Sequence, residues 1–301
     1  MNAIEIRNLC KNFGEKQALC GLDMTVPMGA IYGFIGENGS GKSTTEKIVC
    51  GLIHPTSGSV KLYDKHYTDS DVRASMGVLI EAPGCYPGLS VWNNLMIQAT
   101  NLSIKDKEEA VRRALIMVRM EGAAGNKYKN CSLGMKQRIG IAMALLGNPK
   151  LLVLDEPING LDADGMSIMR EILTDIAASG STVLISSHIL GELEKIATHY
   201  GIVRGGKIIV EMTAEELENS CPTFVAIQAK DMQKAKEVLN KKYAKVLEDE
   251  EKSYLRVYDA LDAKEVAKYL YDNDVIINEL KTDKIGLEEY YINLMANKEV
   301  K

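Results

Sequence analysis

The chain is 301 residues long, enough for one large domain and a smaller one beside it. Hydrophobic residues make up 46% and charged residues 26%, a globular balance, and the net charge of −5 argues against a nucleic-acid partner, which needs a basic face. No run approaches the roughly 18 consecutive apolar residues that span a bilayer, and the start, Met1-Asn2-Ala3-Ile4-Glu5-Ile6-Arg7, lacks the apolar core of a secretory signal. Cys10, Cys20, Cys50, Cys85, Cys131 and Cys221 stand far apart with no C-x-x-C spacing, which excludes a zinc site or a disulfide framework and leaves reduced, partly buried thiols in a cytosolic protein.

In chain order, Ile4-Glu5-Ile6, Leu22-Asp23-Met24-Thr25-Val26 and Ile31 to Ile35 read as strands, with Pro27-Met28-Gly29 turning between the last two. Gly36-Glu37-Asn38-Gly39-Ser40-Gly41-Lys42-Ser43-Thr44 follows at once and fits G-x-x-x-x-G-K-[ST] between a strand and a helix. Glycines there let backbone N–H groups approach phosphate oxygens with no Cβ in the way, and the helix opening near Ser43 sets the positive end of its dipole beneath them. Lys42 can reach the β- and γ-phosphates, and the Ser43 hydroxyl can hold Mg2+. Gly36, Asn38, Gly39, Ser40, Gly41, Lys42, Ser43 and Thr44 are therefore expected to bind a nucleoside triphosphate.

Further along, Met76-Gly77-Val78-Leu79-Ile80 is a strand candidate, and from about 90 to 147 the pattern turns helical. Val111, Ala114, Leu115 and Val118 recur at i, i+3, i+4 and i+7, an apolar stripe for helix packing with Met117 and Met120 filling gaps. Leu151-Leu152-Val153-Leu154 and Thr182-Val183-Leu184-Ile185 are uninterrupted apolar runs of the kind found in a parallel sheet covered on both faces. The first ends in Asp155-Glu156, two carboxylates delivered beside the glycine loop. Asp155 suits Mg2+, directly or through water, and Glu156 suits the orientation or deprotonation of water attacking the γ-phosphate. Ile202 to Val210 reads as a hairpin turning at Gly205-Gly206.

From about 221 the composition changes. Thr223 to Ile227, Ala244 to Leu247, Tyr254 to Val257 and Val275-Ile276-Ile277 with Leu280 are strand candidates. Met232 to Lys242, a capped helix from Asp262 to about Tyr271 and Gly286 to Leu294 are the helices. The order β-α-β-β-α-β is that of a ferredoxin-like unit. Thr213-Ala214-Glu215-Glu216 caps a short linking helix.

Cys131-Ser132-Leu133-Gly134-Met135-Lys136-Gln137-Arg138, about 20 residues before the acidic pair, resembles the signature motif of ABC ATPases, usually L-S-G-G-Q. Ser132 and Gly134 fit that pattern; Cys131, Leu133 and Met135 depart from it. The same serine suits a helix N-cap, and both uses are compatible, because a capped helix N-terminus is also an anion site. Around it, Asn159-Gly160-Leu161-Asp162 resembles the D-loop, Ser187-His188 resembles the H-loop, and Phe13 stands where the family places an adenine-stacking aromatic. The resemblance implies an α/β fold of the ABC-type P-loop NTPase class over residues 1–212, a RecA-like core with a helical subdomain at about 90–147. A linker helix at 213–220 and a small α+β accessory domain at 221–301 complete the expected plan.

It implies that ATP and Mg2+ are the cofactors, that Glu156 and His188 are catalytic, and that Ser43 and Asp155 hold the metal. It also implies a head-to-tail pair, as homodimer or heterodimer, in which Ser132, Gly134 and Asp162 face nucleotide bound by a second ABC ATPase subunit. At the position where the family normally carries a glutamine touching Mg2+, this chain has Glu81. A carboxylate there can still meet metal-bound nucleotide, so Glu81 joins the expected nucleotide and metal residues. Glu81, the run Tyr86-Pro87-Gly88-Leu89-Ser90, the form Ser132 to Arg138 and the ending Leu280 to Tyr291 are similar to a narrower group, the bacitracin-exporter and lantibiotic self-protection ATPases. For that group the implied partners are membrane-spanning permease subunits, no nucleic acid, and a place on the inner face of the cell membrane, with the 90–120 helices docking the permease. Trp92 suits that docking surface and a plain core position equally. The other readings are a soluble ABC ATPase acting on nucleic acid or ribosomes, and an ATP-driven sensor signalling through a membrane partner.

Overall fold

The computed structural model describes residues 1–249, 253–260 and 262–296. Two compact units divide the chain, Met1–Ala214 and a second from Glu215 onward. In the first, β1 (Asn2–Phe13) and β2 (Lys16–Pro27) pair as a long antiparallel hairpin, and β3 (Ile31–Ile35) runs into the glycine loop and α1 (Lys42–Val49). Then come β4 (Ser57–Leu62), β5 (Lys65–His66), α2 (Ser70–Ala74) and β6 (Met76–Leu79). The helices α3 (Val91–Asn101), α4 (Lys107–Met117) and α5 (Leu133–Leu145) pack on one another. The unit closes with β7 (Leu151–Asp155), α6 (Ala163–Ala178), β8 (Thr182–Ser187), α7 (Leu190–Leu193), β9 (His199–Arg204) and β10 (Lys207–Thr213).

Two sheets result. One has the order β2-β1-β4-β5 and is antiparallel; the other has the order β10-β9-β3-β8-β7-β6 and is parallel except for its edge strand β10. Every residue of β3 and β8 is buried, as their unbroken apolar runs predict for strands covered on both faces. Ile4, Ile6, Met24 and Val60 of the antiparallel sheet share one core with Phe34, Val153 and Leu184 of the parallel one, with Ile48 and Val49 of α1 between them. The stripe of α4 is buried at Val111, Ala114, Leu115 and Val118, with Met120 buried and Met117 half-buried.

The hairpin strands are much longer than their apolar stretches suggest. Register shifts between Ile6 and Leu9, where Asn8 takes a positive φ of 47°, break the inside-outside alternation while backbone pairing continues as far as Phe13 opposite Lys16. β4 and β5 leave no sequence signal either, because Ser57-Gly58-Ser59 is polar and only Val60 and Leu62 point inward.

The second unit begins within α8 (Ala214–Ser220) and continues as β11 (Thr223–Ala229), α9 (Met232–Leu239), β12 (Val246–Asp249), β13 (Tyr254–Val257), α10 (Ala263–Tyr271), β14 (Ile277–Lys284) and α11 (Leu287–Met295). Its sheet order is β12-β13-β11-β14, all antiparallel, so β11-α9-β12 and β13-α10-β14 interleave as two split βαβ units. It has its own core, centred on Val225, Ile227, Leu239, Leu255, Val257, Val266 and Leu270. Strand β14 starts at Ile277 rather than Val275, because the Val275 N–H is spent on the Leu270 carbonyl where α10 ends.

Gly77 marks where β6 and α5 touch most closely. A Cβ there would press on the Ala144 carbonyl oxygen and lie 2.8 Å from Leu152 Cδ1. Gly77→Ala is expected to destabilise the first unit by roughly 1–3 kcal/mol, read as a lowered urea or thermal midpoint; an unchanged midpoint would show that the two elements can separate freely.

Candidate active site

Parallel strands present their carboxyl ends on one side of a sheet, and that is where the site lies. β3 ends at the glycine loop, β7 at Asp155, and β8, between them, at Ser186 and Ser187. Register places Ile35 beside Ser187 and Asp155 beside Ser186, so β8 sets the spacing between loop and acids. A cleft of about 480 Å3 opens there, lined by Phe13, Lys16, Ala18, Asn38, Gly39, Gly41, Lys42, Ser43, Thr44, Asp155 and Glu156.

The loop is shaped by close approach. A Cβ at Gly36 would lie 2.6 Å from both Ser40 Oγ and the Val203 carbonyl oxygen, while Gly39 and Gly41 take φ of 81° and 114°, strained for any residue with a side chain. Gly206 N–H donates to the Ser40 carbonyl at 2.9 Å, fastening the loop to the β9–β10 turn. The first N–H groups of α1 have no carbonyl a turn below them, so they are free to meet an anion. Lys42 is only 6% exposed; its ammonium donates to the Gly36 carbonyl at 2.6 Å and to Glu37 at 3.2 Å. Among the described residues it has no salt bridge to a carboxylate. A buried cation held by neutral oxygens alone is stabilised by any phosphate placed beside it.

Asp155 Oδ1 accepts the Ser186 hydroxyl proton at 2.9 Å. Glu156 has a positive φ of 51°, and its N–H donates to both the carbonyl and the hydroxyl of Ser186, each at 3.2 Å. Its carboxylate accepts from His188 Nδ1 at 2.8 Å. The histidine side chain is half exposed and does not line the cleft; it holds the carboxylate that does. Phe13, half exposed at the end of β1, overlooks the cleft with Lys11 Nζ 5.0 Å from its ring centre.

Ser132, Gly134 and Asp162 lie elsewhere. Ser132 caps α5 by accepting Met135 N–H at 3.2 Å, and Asp162 caps α6 by accepting Gly165 N–H at 2.9 Å. With Leu133, Gly160 and Leu161 they line a separate depression, apart from the cleft. Glu81 also stands outside the cleft lining; its exposed carboxylate pairs with Lys47 of α1 at 2.9 Å, and its φ is 65°. Trp92 is half-buried on α3, with Arg112 5.7 Å from its ring centre.

Sequence reasoning missed Lys16, Ala18, Ser186 and Glu46. Nothing at 16–18 signals a site; the hairpin brings those residues to the cleft. Ser186 was legible as a polar residue ending an apolar strand.

Nucleotide and metal fit the residues present. Ser40 Oγ is buried with no hydrogen-bond partner, Lys42 lacks an anion, and the Gly36 cradle is one that a Cβ would fill. A hydroxyl from Ser43 and a carboxylate from Asp155 are the hard oxygen donors Mg2+ prefers, in the small number it takes when phosphate and water complete its shell.

Glycine loop, acid-tipped strand and flanking histidine together define a P-loop ATPase. The sequence profile described as ABC transporter matches residues 19–159. Among curated proteins the chain is similar to the bacitracin transport ATP-binding protein BcrA of Bacillus licheniformis, 33% identical over 298 residues, with 97% of each chain covered. It is likewise similar to the lantibiotic transport ATP-binding protein SrtF of Streptococcus pyogenes, 41% identical over 216 residues, covering 72% of this chain and 93% of that protein. Among solved structures, a nucleotide-free ATP-binding cassette from an ABC transporter superposes with a TM-score of 0.65 at 26% identity, over 73% of this chain and 94% of that one. An ATP-binding cassette of an ABC transporter in its ADP conformation gives 0.67 at 26% identity, over the same 73% and 94%. The chain belongs to the ABC transporter ATP-binding family, and it binds and hydrolyses ATP.

Lys42→Ala is expected to weaken ATP binding by about 10- to 100-fold, since a charge-assisted hydrogen bond contributes roughly 1.5–3 kcal/mol. Titration with a fluorescent ATP analogue measures it, and unaltered affinity would remove Lys42 from the phosphate site.

Proposed function

We propose that this chain is the energy-supplying subunit of an exporter for a drug or antimicrobial peptide, working through membrane-spanning subunits on separate polypeptides. The similarity to bacitracin and lantibiotic transport ATP-binding proteins supports the cargo class. Among the described residues no helix is long and apolar enough to cross a membrane, so the passage itself falls to partners. The chain then works at the inner membrane face, held there by the permease.

One observation carries the assembly: the depression of Ser132, Gly134 and Asp162 is distinct from the cleft of Lys42 and Glu156. Each copy offers a phosphate cradle at one place and a capped helix N-terminus at another, so two copies set head to tail complete two sites. A partner's capped helix, presented to the open side of the cleft, adds N–H donors where the γ-phosphate is exposed.

Within the cleft, the chain's own groups divide the work. Lys42 and the first-turn amides of α1 neutralise and orient the β- and γ-phosphates, and Phe13 offers its face to the adenine. Ser43 and Asp155 would hold Mg2+, which would supply charge neutralisation for the phosphates. Glu156 accepts a proton from the attacking water; His188 Nδ1–H and the Ser186 contacts fix that carboxylate in direction. Glu81 faces the α1 surface through Lys47 and opens the segment 81–95 before α3, and so links nucleotide state to the permease.

Glu156→Gln should retain ATP yet lower turnover by about 100-fold or more, as expected on losing a general base. In ATP it should run as a dimer on size-exclusion chromatography; a monomer under those conditions would contradict the paired site. Glu81→Ala should leave ATPase activity within about fivefold, since an exposed ion pair contributes roughly 0–1 kcal/mol, while export-dependent resistance in cells is lost. Undiminished resistance would end the coupling role.

A further inference from the structure

The sheet of the second unit is bordered by strands of unequal length, β12 with 4 residues and β14 with 8. β14 has β11 on one side and, among the described residues, no strand on the other. From Lys284 back to Glu279 it pairs with β11 in unbroken register, so its outer border is regular as well. Backbone groups along an antiparallel strand bond to alternate sides. Ile285 N–H donates to the Pro222 carbonyl, which sets Asp283, Lys281 and Glu279 toward β11 and turns Lys284, Thr282 and Leu280 outward. The Lys284 amide agrees with that parity: it donates at 2.9 Å to the carboxylate of its neighbour Asp283. A regular outward row of N–H and C=O groups is a template for another strand.

The side chains indicate which strand fits. Glu279, Lys281 and Asp283 are exposed and alternate in charge, with Lys281 Nζ 3.1 Å from Asp283 Oδ2. Laid antiparallel against itself about Thr282, β14 sets each Lys281 opposite Asp283 of the second copy. These are pairs without mutual backbone bonds, where side chains approach most closely. A centre one residue earlier would set Lys281 against Lys281 and Glu279 against Asp283, both repulsive. Beside the strand lies a groove of about 830 Å3, lined only by residues of α10, the start of β14 and the turn between them. Tyr271 and Ile276 of that groove are 79% and 63% exposed, so apolar surface flanks the open strand.

We propose that β14 binds β14 of a second copy of this chain, antiparallel about Thr282, so that the sheet continues across a two-fold axis. Thr282 exchanges backbone hydrogen bonds with its counterpart, and Leu280 exchanges them with Lys284. The contact goes beyond the ATP-bridged pair of the first unit: it needs no nucleotide, and it makes the partner a like chain.

Light scattering on the full chain without nucleotide tests it. One strand pair and a groove make a small interface, so a dissociation constant on the order of 10 µM is expected. Lys281→Glu should weaken the dimer about tenfold or more, since two attractive pairs become repulsive. Lys281→Glu/Asp283→Lys should restore it, because the exchange preserves both pairs. Thr282→Pro removes only an outward N–H, which a border strand can spare, and should give a folded monomer. Unchanged melting temperatures and amide exchange that slows at Leu280 and Thr282 with rising concentration would complete the expected result. A monomer at about 100 µM, a dimer indifferent to Lys281→Glu or Thr282→Pro, or a double variant left monomeric would each overturn the proposal. Glu156→Gln/Lys281→Glu should still pair in ATP, and its failure to do so beside an intact Glu156→Gln dimer would also overturn it. If Glu156→Gln itself stays monomeric when ATP is added to dilute protein, the head-to-tail reading falls and this one stands.

Discussion

A buried ammonium with no carboxylate of its own organises the first unit. Lys42 is held by two backbone carbonyls, which orient it without a carboxylate in salt-bridge contact among the described residues. Everything around it is arranged to bring an anion there. The loop is glycine where a Cβ would strike Ser40 and Val203, and α1 turns its unsatisfied amides toward the same point. In the proposed site, phosphate would meet a charge and a set of dipoles fixed before it arrives, so little reorganisation would be needed on binding.

The parallel sheet sets that local arrangement beside the two acids at the end of β7. Strands β3 and β7 are not neighbours; β8 separates them, and its last residues fill the gap with hydroxyls rather than carboxylates. Ser186 thereby holds Asp155 by its side chain and Glu156 by its backbone. Glu156, at a positive φ, is turned away from the path of a continuing strand and toward the cleft, where His188 catches its carboxylate. Strain at this one residue is offset by three hydrogen bonds, an economy common where backbone conformation serves chemistry.

The same chain is also incomplete in a physical sense. A capped helix N-terminus at Ser132 and another at Asp162 meet in one depression with an exposed Leu133, and nothing within the first unit satisfies that surface. Two separate depressions on one molecule support the head-to-tail pair proposed above, in which ATP would bridge the copies.

Much of this was legible without coordinates, and for identifiable reasons. Gly36 to Thr44 is one continuous stretch whose residue types have few other uses together, and the apolar runs ending in Asp155 and Ser187 announce buried parallel strands by composition. Local chemistry and local spacing were enough there. The length of the hairpin, the presence of β4 and β5, and the place of Lys16 and Ala18 in the cleft were not legible, because bulges break the alternation and polar backbone pairing leaves no pattern in side chains. Glu46 looked like an ordinary acid in a helix of mixed polarity. Only packing, which sets α1 against β7 and shuts water away from one face of the helix, makes that carboxyl a fully buried one. Sequence by itself determined the chemistry available to this protein, since bonding capacity belongs to residues. Tertiary structure decided which groups meet, since burial and distance belong to the folded chain.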